Sequence, residues 1–116
     1  MLIAFRDRTV QTAADARAVS GLGGATAEDV AAAMTALAYV PSLGDLLGMR
    51  SLALTRLTRA SMSDYFLGTR TAGVTCRPVD DLGRAIRTSH TKESLMTVTA
   101  VTIQAIGHSR EEALSA

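Results

Sequence analysis

Residues 40–59 of the chain are VPSLGDLLGMRSLALTRLTR, and the conformation of this stretch decides the fold class. Pro41 ends any helix that precedes it, because proline has no N–H to continue the hydrogen-bond ladder. Ser42 can cap a short helix that would end at Gly48, and Ser51 can cap another beyond it. The stretch therefore predicts two short helices joined by a tight turn.

The small and apolar residues of this stretch have the spacing that two crossing helices need. Gly44 would be the small residue at the crossing, Gly48 the positive-φ residue of the turn, and Met49 the residue that fills it. Four leucines would face the core, namely Leu43, Leu47, Leu54 and Leu57. This spacing resembles that of the helix-turn-helix family of DNA-binding regulators, over residues 40–59 only.

A helical wheel drawn for the second helix, Ser51 to Ser63, separates an apolar face from a polar one. The apolar face would carry Ala53, Leu54, Leu57 and Ala60, and the polar face Thr55, Arg56, Arg59 and Ser63. The resemblance implies that the polar face enters the major groove of double-stranded DNA. The residues that it assigns to DNA binding are Arg50, Ser51, Thr55, Arg56 and Arg59. Leu52 departs from the pattern, because it lies in the middle of the polar face, where it would touch a thymine methyl or pack against protein.

The charge of the chain is unevenly distributed. Its net charge is only +1, yet residues 50–87 contain seven arginines and three aspartates, a net charge of +4. Lys92 is the one lysine, so nearly all the positive charge is on guanidinium groups, which suit bidentate contacts with phosphate or guanine. A GC-rich genome would give the same excess of arginine, so this composition has two explanations.

N-terminal to the quoted stretch, the sequence predicts one strand and two helices. Residues 2–6 have the apolar density of a short strand, and the alanine-rich run from Thr9 to Val19 favours a helix that the glycines at 21–24 would end. Thr26 has the position of an N-cap, so a second helix would begin near Ala27 and end at Pro41.

C-terminal to it, short strands and helices alternate. Residues 73–77 are bounded by glycine and proline as a strand would be, and Asp80 can cap a helix through Arg87. Ser109 and Glu112 have the spacing of a capping box for a terminal helix. With the two central helices included, the sequence predicts a single α+β domain over residues 1–116, mainly helical with a helix-turn-helix-like segment and a small sheet.

Residues 96–106 are rich in Thr, Val and Ile and favour a strand. Their alternation slips, which predicts either a bulge near Ala100 or a strand covered on both faces. A helix is the rival interpretation, since Met96, Ala100 and Ile103 also fit helical spacing. Regulators of this type bind as dimers, so this segment would either pair across a twofold axis in a homodimer or be an ordinary internal element.

The sequence offers no convincing set of catalytic residues. Cys76 would need a base, and nothing in the sequence brings His90 or His108 near it. His90 and Glu93 lack further metal ligands, and the glycines at 21–24 lack the preceding strand and the lysine of a nucleotide-binding loop. We therefore expect no enzyme activity, no metal and no cofactor.

Compartment and function follow from these patterns as expectations. A lone cysteine, an N-terminus without a secretory apolar region and the lack of a long apolar segment predict a cytoplasmic protein outside the membrane. The predicted function is a small transcriptional regulator that binds DNA by a helix-turn-helix. The alternative is a protein-interaction module, such as an inhibitor or assembly component of a phage or mobile element, in which Leu52 and the arginines contact protein. A small enzyme that uses Cys76 is a third, weaker reading.

Overall fold

The computed structural model describes residues 1–14, 24–59 and 62–115. In chain order the elements are β1 (Leu2–Phe5), α1 (Arg8–Ala14), α2 (Gly24–Tyr39), a 3-10 helix (Leu43–Leu46), β2 (Ala53–Arg59), β3 (Met62–Gly68), β4 (Gly73–Pro78), α3 (Lys92–Leu95), β5 (Ala100–Ile106) and α4 (Arg110–Ser115).

The five strands form one mixed sheet in the order β1-β5-β4-β3-β2. The pairs β2–β3, β3–β4 and β4–β5 are antiparallel, and β1 adds parallel to β5. Of the described chain, 35% is helical and 31% is strand. The prediction of a mainly helical domain with a small sheet is therefore wrong, because the sheet is the framework on which the helices pack.

Helix α2 covers one face of this sheet, which we call the α2 face. The helix buries Val30, Ala33 and Leu37 completely. The buried side chains of the central strands that share this cluster are Tyr65, Leu67, Val74, Cys76, Val101 and Ile103. We call the opposite face the α4 face; there Ala113 of α4 packs with Leu57 and Phe66 in a second, smaller cluster.

The segment predicted as the second helix of a helix-turn-helix is strand β2. Its register with β3 pairs Leu54 with Leu67 and Leu57 with Asp64, so the two leucines of β2 point to opposite faces of the sheet. Leu54 packs against the α2 cluster, and Leu57, 1% exposed, packs against α4. Because both faces are covered, the strand lacks the alternation of a half-buried strand, and its leucines three residues apart imitate a helix.

Strand β5 lies between β1 and β4, so both of its edges are paired. The helical interpretation of residues 96–106 is wrong, and the strand begins only at Ala100. The irregularity predicted near Ala100 lies further along, where Thr75 pairs with Ala105 but Cys76 pairs with Ile103. The segment is an internal element of the sheet, so its backbone is not available to pair across a twofold axis.

The predicted helix after Asp80 is also wrong. The Asp80 carboxylate accepts the backbone N–H groups of Leu82 and Arg84, and Gly83 has a φ of 78°. An isolated bridge between Val79 and Ala85 closes the turn. An aspartate can bond to nearby backbone in a turn as readily as at a helix start, which is why the pattern was ambiguous.

The predictions for the first and fourth strands, for the terminal helix and for the helix cap at Thr26 had different outcomes. Strands β1 and β4 are confirmed. The terminal helix is confirmed, with the Glu112 N–H donating to Ser109 Oγ at 3.1 Å. The cap at Thr26 is wrong because α2 begins at Gly24. The predicted helix from Thr9 is described only up to Ala14, and its end and the glycines at 21–23 lie outside the described residues.

Candidate functional site: an apolar groove at the edge of the sheet

No recognition helix is formed by the residues to which the sequence assigned DNA binding. Arg50 and Ser51 lie in the irregular segment before β2, and Thr55, Arg56 and Arg59 lie within that strand. Thr55 pairs with Phe66 on the α4 face, whereas Arg56 pairs with Tyr65 on the α2 face. The common polar face predicted for a helix is therefore absent, and the helix-turn-helix prediction is wrong. The side chain of Arg59 lies outside what the structure describes.

The two glycines expected to shape a helix-turn-helix have other roles. Gly44 is buried, and a Cβ there would lie 2.8 Å from the backbone nitrogen of Met96, the residue that caps the C-terminal end of α3. Glycine at this position therefore allows the 3-10 helix and α3 to pack closely. Gly48 does not have a positive φ, and a Cβ there would meet nothing within 4 Å. The turn therefore does not require glycine at residue 48.

The feature that the sequence did not predict is an apolar groove beside β2, which we call the edge groove. It has a volume of about 440 Å³ and lies between the outer side of α2 and the chain that leads into β2. Its lining residues are Ala31, Ala32, Thr35, Ala36, Tyr39, Met49, Ser51 and Leu52. Tyr39 is 88% exposed and Met49 is 37% exposed, so two large side chains extend into solvent at the rim of the groove.

Local sequence explains why the groove is open. Ala31, Thr35 and Tyr39 recur at intervals of four residues on one side of α2, where the first two are too small to fill the space. The 3-10 helix then returns the chain toward the sheet, and Leu52 inserts into the core with only 4% of its surface exposed. Most helices expose a charged outer side, so an apolar one beside a groove marks a surface suited to binding.

Positive charge lies at the groove, where Arg50 stands between two lining residues, and along the strand that follows it, where Arg56 lies. Arg50 and Arg56 are exposed, and within the part of the chain that the structure describes neither makes an ion pair. Residues 48–59 contain no aspartate or glutamate. An incoming group at this edge therefore meets cationic side chains whose charge is not neutralised by described neighbours.

Among the strands that the structure describes, β2 lies at an edge of the sheet and pairs on one side only. Arg59 and Met62 are paired across only two intervening residues, which requires that they form a directly hydrogen-bonded pair. Because such pairs alternate along an antiparallel ladder, Leu54, Arg56 and Thr58 direct their backbone N–H and C=O groups away from β3. No other described strand pairs with this side of β2.

Cys76 lies at the centre of the core and is 0% exposed. Burial, together with the nearby charge of Asp64, raises the pKa of the Cys76 thiol to about 12. The group is therefore the neutral thiol at physiological pH, which is the inert state of cysteine. These properties remove the support for a reaction that uses Cys76 as a nucleophile.

A labelling experiment checks this placement. We expect iodoacetamide to leave Cys76 unmodified in the folded protein at neutral pH and to alkylate it fully once urea unfolds the chain. Intact mass measured across a urea series should show labelling rise together with the loss of circular dichroism. Rapid labelling of the folded protein would contradict the position of Cys76 in the core.

Two polar clusters lie outside the edge groove, and each is held together by contacts within the protein. Arg77 donates from Nε to the buried Asp64 carboxylate at 2.7 Å, and this bond raises the pKa of the Arg77 guanidinium. The Tyr65 hydroxyl and Thr88 Oγ1 are 2.6 Å apart, and the exposed His90 ring stacks on Tyr65 with ring centroids 5.8 Å apart. No group of three or more His, Cys, Asp or Glu side chains positioned to hold a metal is found among the described residues.

Sequence reasoning found the arginines near this site but missed the groove itself. Ala31 and Ala32 carried no signal beyond helix propensity. Tyr39 just before Pro41 was the available sign, since a tyrosine at a helix end with no predicted partner is often at an interface.

Comparisons of this chain with protein-family models, with curated proteins and with solved structures found no match. Among the described residues, no helix has the length and apolar character to cross a bilayer.

Proposed function

We propose that this chain is a protein-interaction module that binds a partner polypeptide in the edge groove. The observation that carries the proposal is the groove itself, an apolar depression with Tyr39 and Met49 exposed at its rim and with the chain running from it into β2, which is an edge strand among the described strands. Protein interfaces concentrate aromatic residues and methionine at their core, and exposed apolar patches on small proteins mark such contacts.

The geometry supports a polypeptide better than a DNA duplex. A major groove accepts a helix or a two-stranded ribbon that projects from the protein surface. Arg50 lies instead between two residues that line an apolar depression, and Arg56 lies within the strand that follows it. A cluster of alanine, tyrosine, methionine and leucine has few groups to offer to phosphates, which are the main source of affinity in DNA binding.

The test compares two alanines of α2 that are both exposed. Ala32 lines the edge groove, and Ala38, on the same helix, does not. A displayed library of random linear peptides is selected on the unmodified protein, and affinities of the enriched peptides are measured by fluorescence polarisation for Ala32→Glu and for Ala38→Glu. A carboxylate placed in an apolar contact should weaken binding by about tenfold or more, whereas the control should bind as the unmodified protein does.

The outcomes separate the two functions. Loss with Ala32→Glu and retention with Ala38→Glu support the groove as the binding site. Peptides that bind both variants equally, or a selection that enriches none, overturn the proposal. A parallel selection of duplex genomic fragments at low salt is the DNA arm; enriched fragments whose affinity falls steeply with salt and is unchanged by Ala32→Glu would also overturn it.

A further inference from the structure

We infer that the bound segment is an extended strand that adds to the outer edge of β2 and directs both apolar and acidic side chains, at every second position, toward the α2 face. This inference rests on the proposed function, because it names the conformation and chemistry of what the edge groove accepts. Strand addition uses main-chain hydrogen bonds for affinity and pockets for alternate side chains for specificity.

The backbone supplies the first part of the argument. Leu54, Arg56 and Thr58 direct their N–H and C=O groups outward from β2, as derived above from the pairing of Arg59 with Met62. An edge strand of this kind is a template for another extended chain. The opposite edge, β1, has only the four residues Leu2–Phe5. A pocket beside β1 is lined in part by the polar side chains of Arg6, Arg77 and Gln104.

The faces of the sheet supply the second part. Leu54 and Arg56 lie on the α2 face, and Leu52, which lines the edge groove, leads directly into the same strand. In a strand added beside β2, every second side chain would project toward this face. The side chains of the added strand that lie next to the start of β2 would then enter the groove and contact Tyr39 and Met49.

Charge determines the kind of strand. Across the new pair, a side chain next to Arg56 lies within reach of its guanidinium, so a carboxylate is favoured there and a cation is not. Arg50 at the groove places a second unneutralised cation on the approach to β2. A partner strand that directs apolar side chains into the groove and, further along the same face, a carboxylate next to Arg56 therefore complements both the groove and the charge of β2.

The same charges argue against a second copy of this chain. Strand β2 contains Arg56 and Arg59 and no acidic residue. Two β2 strands paired across a twofold axis would place Arg56 of each copy on the same face of the joined sheet, and β2 has no carboxylate to offer either of them. Cationic side chains on edge strands are a common device that prevents such self-pairing. A different partner is the occupant that the structure favours.

The first experiment tests strand geometry with the unmodified protein. A peptide enriched in the library selection is synthesised in two forms. One is N-methylated at the even backbone positions, and the other at the odd positions, of the segment that the enriched peptides share. Because only alternate N–H groups of an added strand face β2, one form should lose about tenfold or more in affinity and the other should bind nearly as before. Equal affinities of the two forms would overturn strand addition.

The second experiment tests charge by reversal. Arg56→Glu should weaken the acidic peptide about fivefold, and the same peptide with lysine in place of its glutamates should regain that loss on the variant. Arg8→Glu, an exposed arginine near the opposite edge of the sheet, is the matched control and should leave affinity unchanged. Weakening by both variants alike, or no rescue by the lysine peptide, would overturn the acidic partner.

These results are independent of the test of the proposed function. If peptides are sensitive to Ala32→Glu but indifferent to the pattern of N-methylation and to Arg56→Glu, the edge groove remains the binding site and the added strand is wrong. If they are insensitive to Ala32→Glu, the proposed function fails first. If the unliganded protein has the molecular mass of a dimer and Arg56→Glu has that of a monomer, a second copy pairs at β2. That result would also overturn the inference.

Discussion

Gly73→Ala should lower the free energy of unfolding by about 3 kcal/mol, one of the two largest effects that we expect from a single substitution. Gly73 opens β4 opposite Gly68, the last residue of β3. A Cβ on Gly73 would collide with the carbonyl oxygen of Leu67 and would lie 2.7 Å from the Cα of Gly68. Both are backbone atoms, so relief requires the two central strands to separate. Urea denaturation followed by circular dichroism measures the loss.

The control for this prediction is another glycine changed to alanine. Gly48 has open space where a Cβ would lie and does not have a positive φ. Gly48→Ala should therefore be neutral, or should stabilise the fold by a few tenths of a kcal/mol, by reducing the freedom of the unfolded chain. A loss at Gly48 as large as that at Gly73 would contradict the structure and would favour a tight turn between two helices.

The sequence allowed the strands with strong local signals to be predicted. Residues 73–77 are bounded by Gly73 and Pro78, and residues 100–106 are rich in β-branched side chains, so both segments are strands for reasons visible within each segment. The Ser109 capping box is also local, since both of its partners lie within four residues. For these three elements the determinants are close in the sequence, and prediction succeeded.

The β2–β3 hairpin was missed because its determinants are distant. Leu54 is covered by the core beneath α2, and Leu57 by Ala113, which lies more than fifty residues further along the chain. With both faces covered, the spacing of these leucines matches a helical stripe as well as a strand. Ser42 lies at the N-cap position, as predicted, and its backbone N–H donates to the Asp45 carboxylate. The helix that begins there is a 3-10 helix of only four residues. Local capping signals do not determine how long the helix continues.

The candidate site could be predicted only in part for a similar reason. The concentration of arginine around residues 50–59 was evident, but the direction of each side chain depends on whether the backbone is helix or strand. A helix would gather Thr55, Arg56 and Arg59 on one side, whereas the strand divides Thr55 from Arg56. The edge groove itself requires α2 and the chain before β2 to approach each other, and no local pattern encodes that approach.

Leu52→Ala should lower the free energy of unfolding by about 2 to 4 kcal/mol, the second large effect. Leu52 is 4% exposed and belongs to the core cluster beneath α2, so truncation removes buried methyl groups and leaves a cavity. The measurement is again urea denaturation, with Leu82→Ala as control. Leu82 is 75% exposed on the turn after β4, and its truncation should change stability by less than about 0.5 kcal/mol.

Leu52 also separates the two interpretations of residues 50–63 better than any of the arginines does. In a helix that begins at Ser51, Leu52 would lie in the middle of the polar, solvent-facing side, and its truncation would cost no more than that of Leu82. In the sheet it is the residue that fixes the chain to the core just before β2 begins, and it forms part of the edge groove. A large loss for Leu52→Ala with a small one for Leu82→Ala therefore supports the strand on which the groove and its proposed partner depend, and equal small losses would remove that basis.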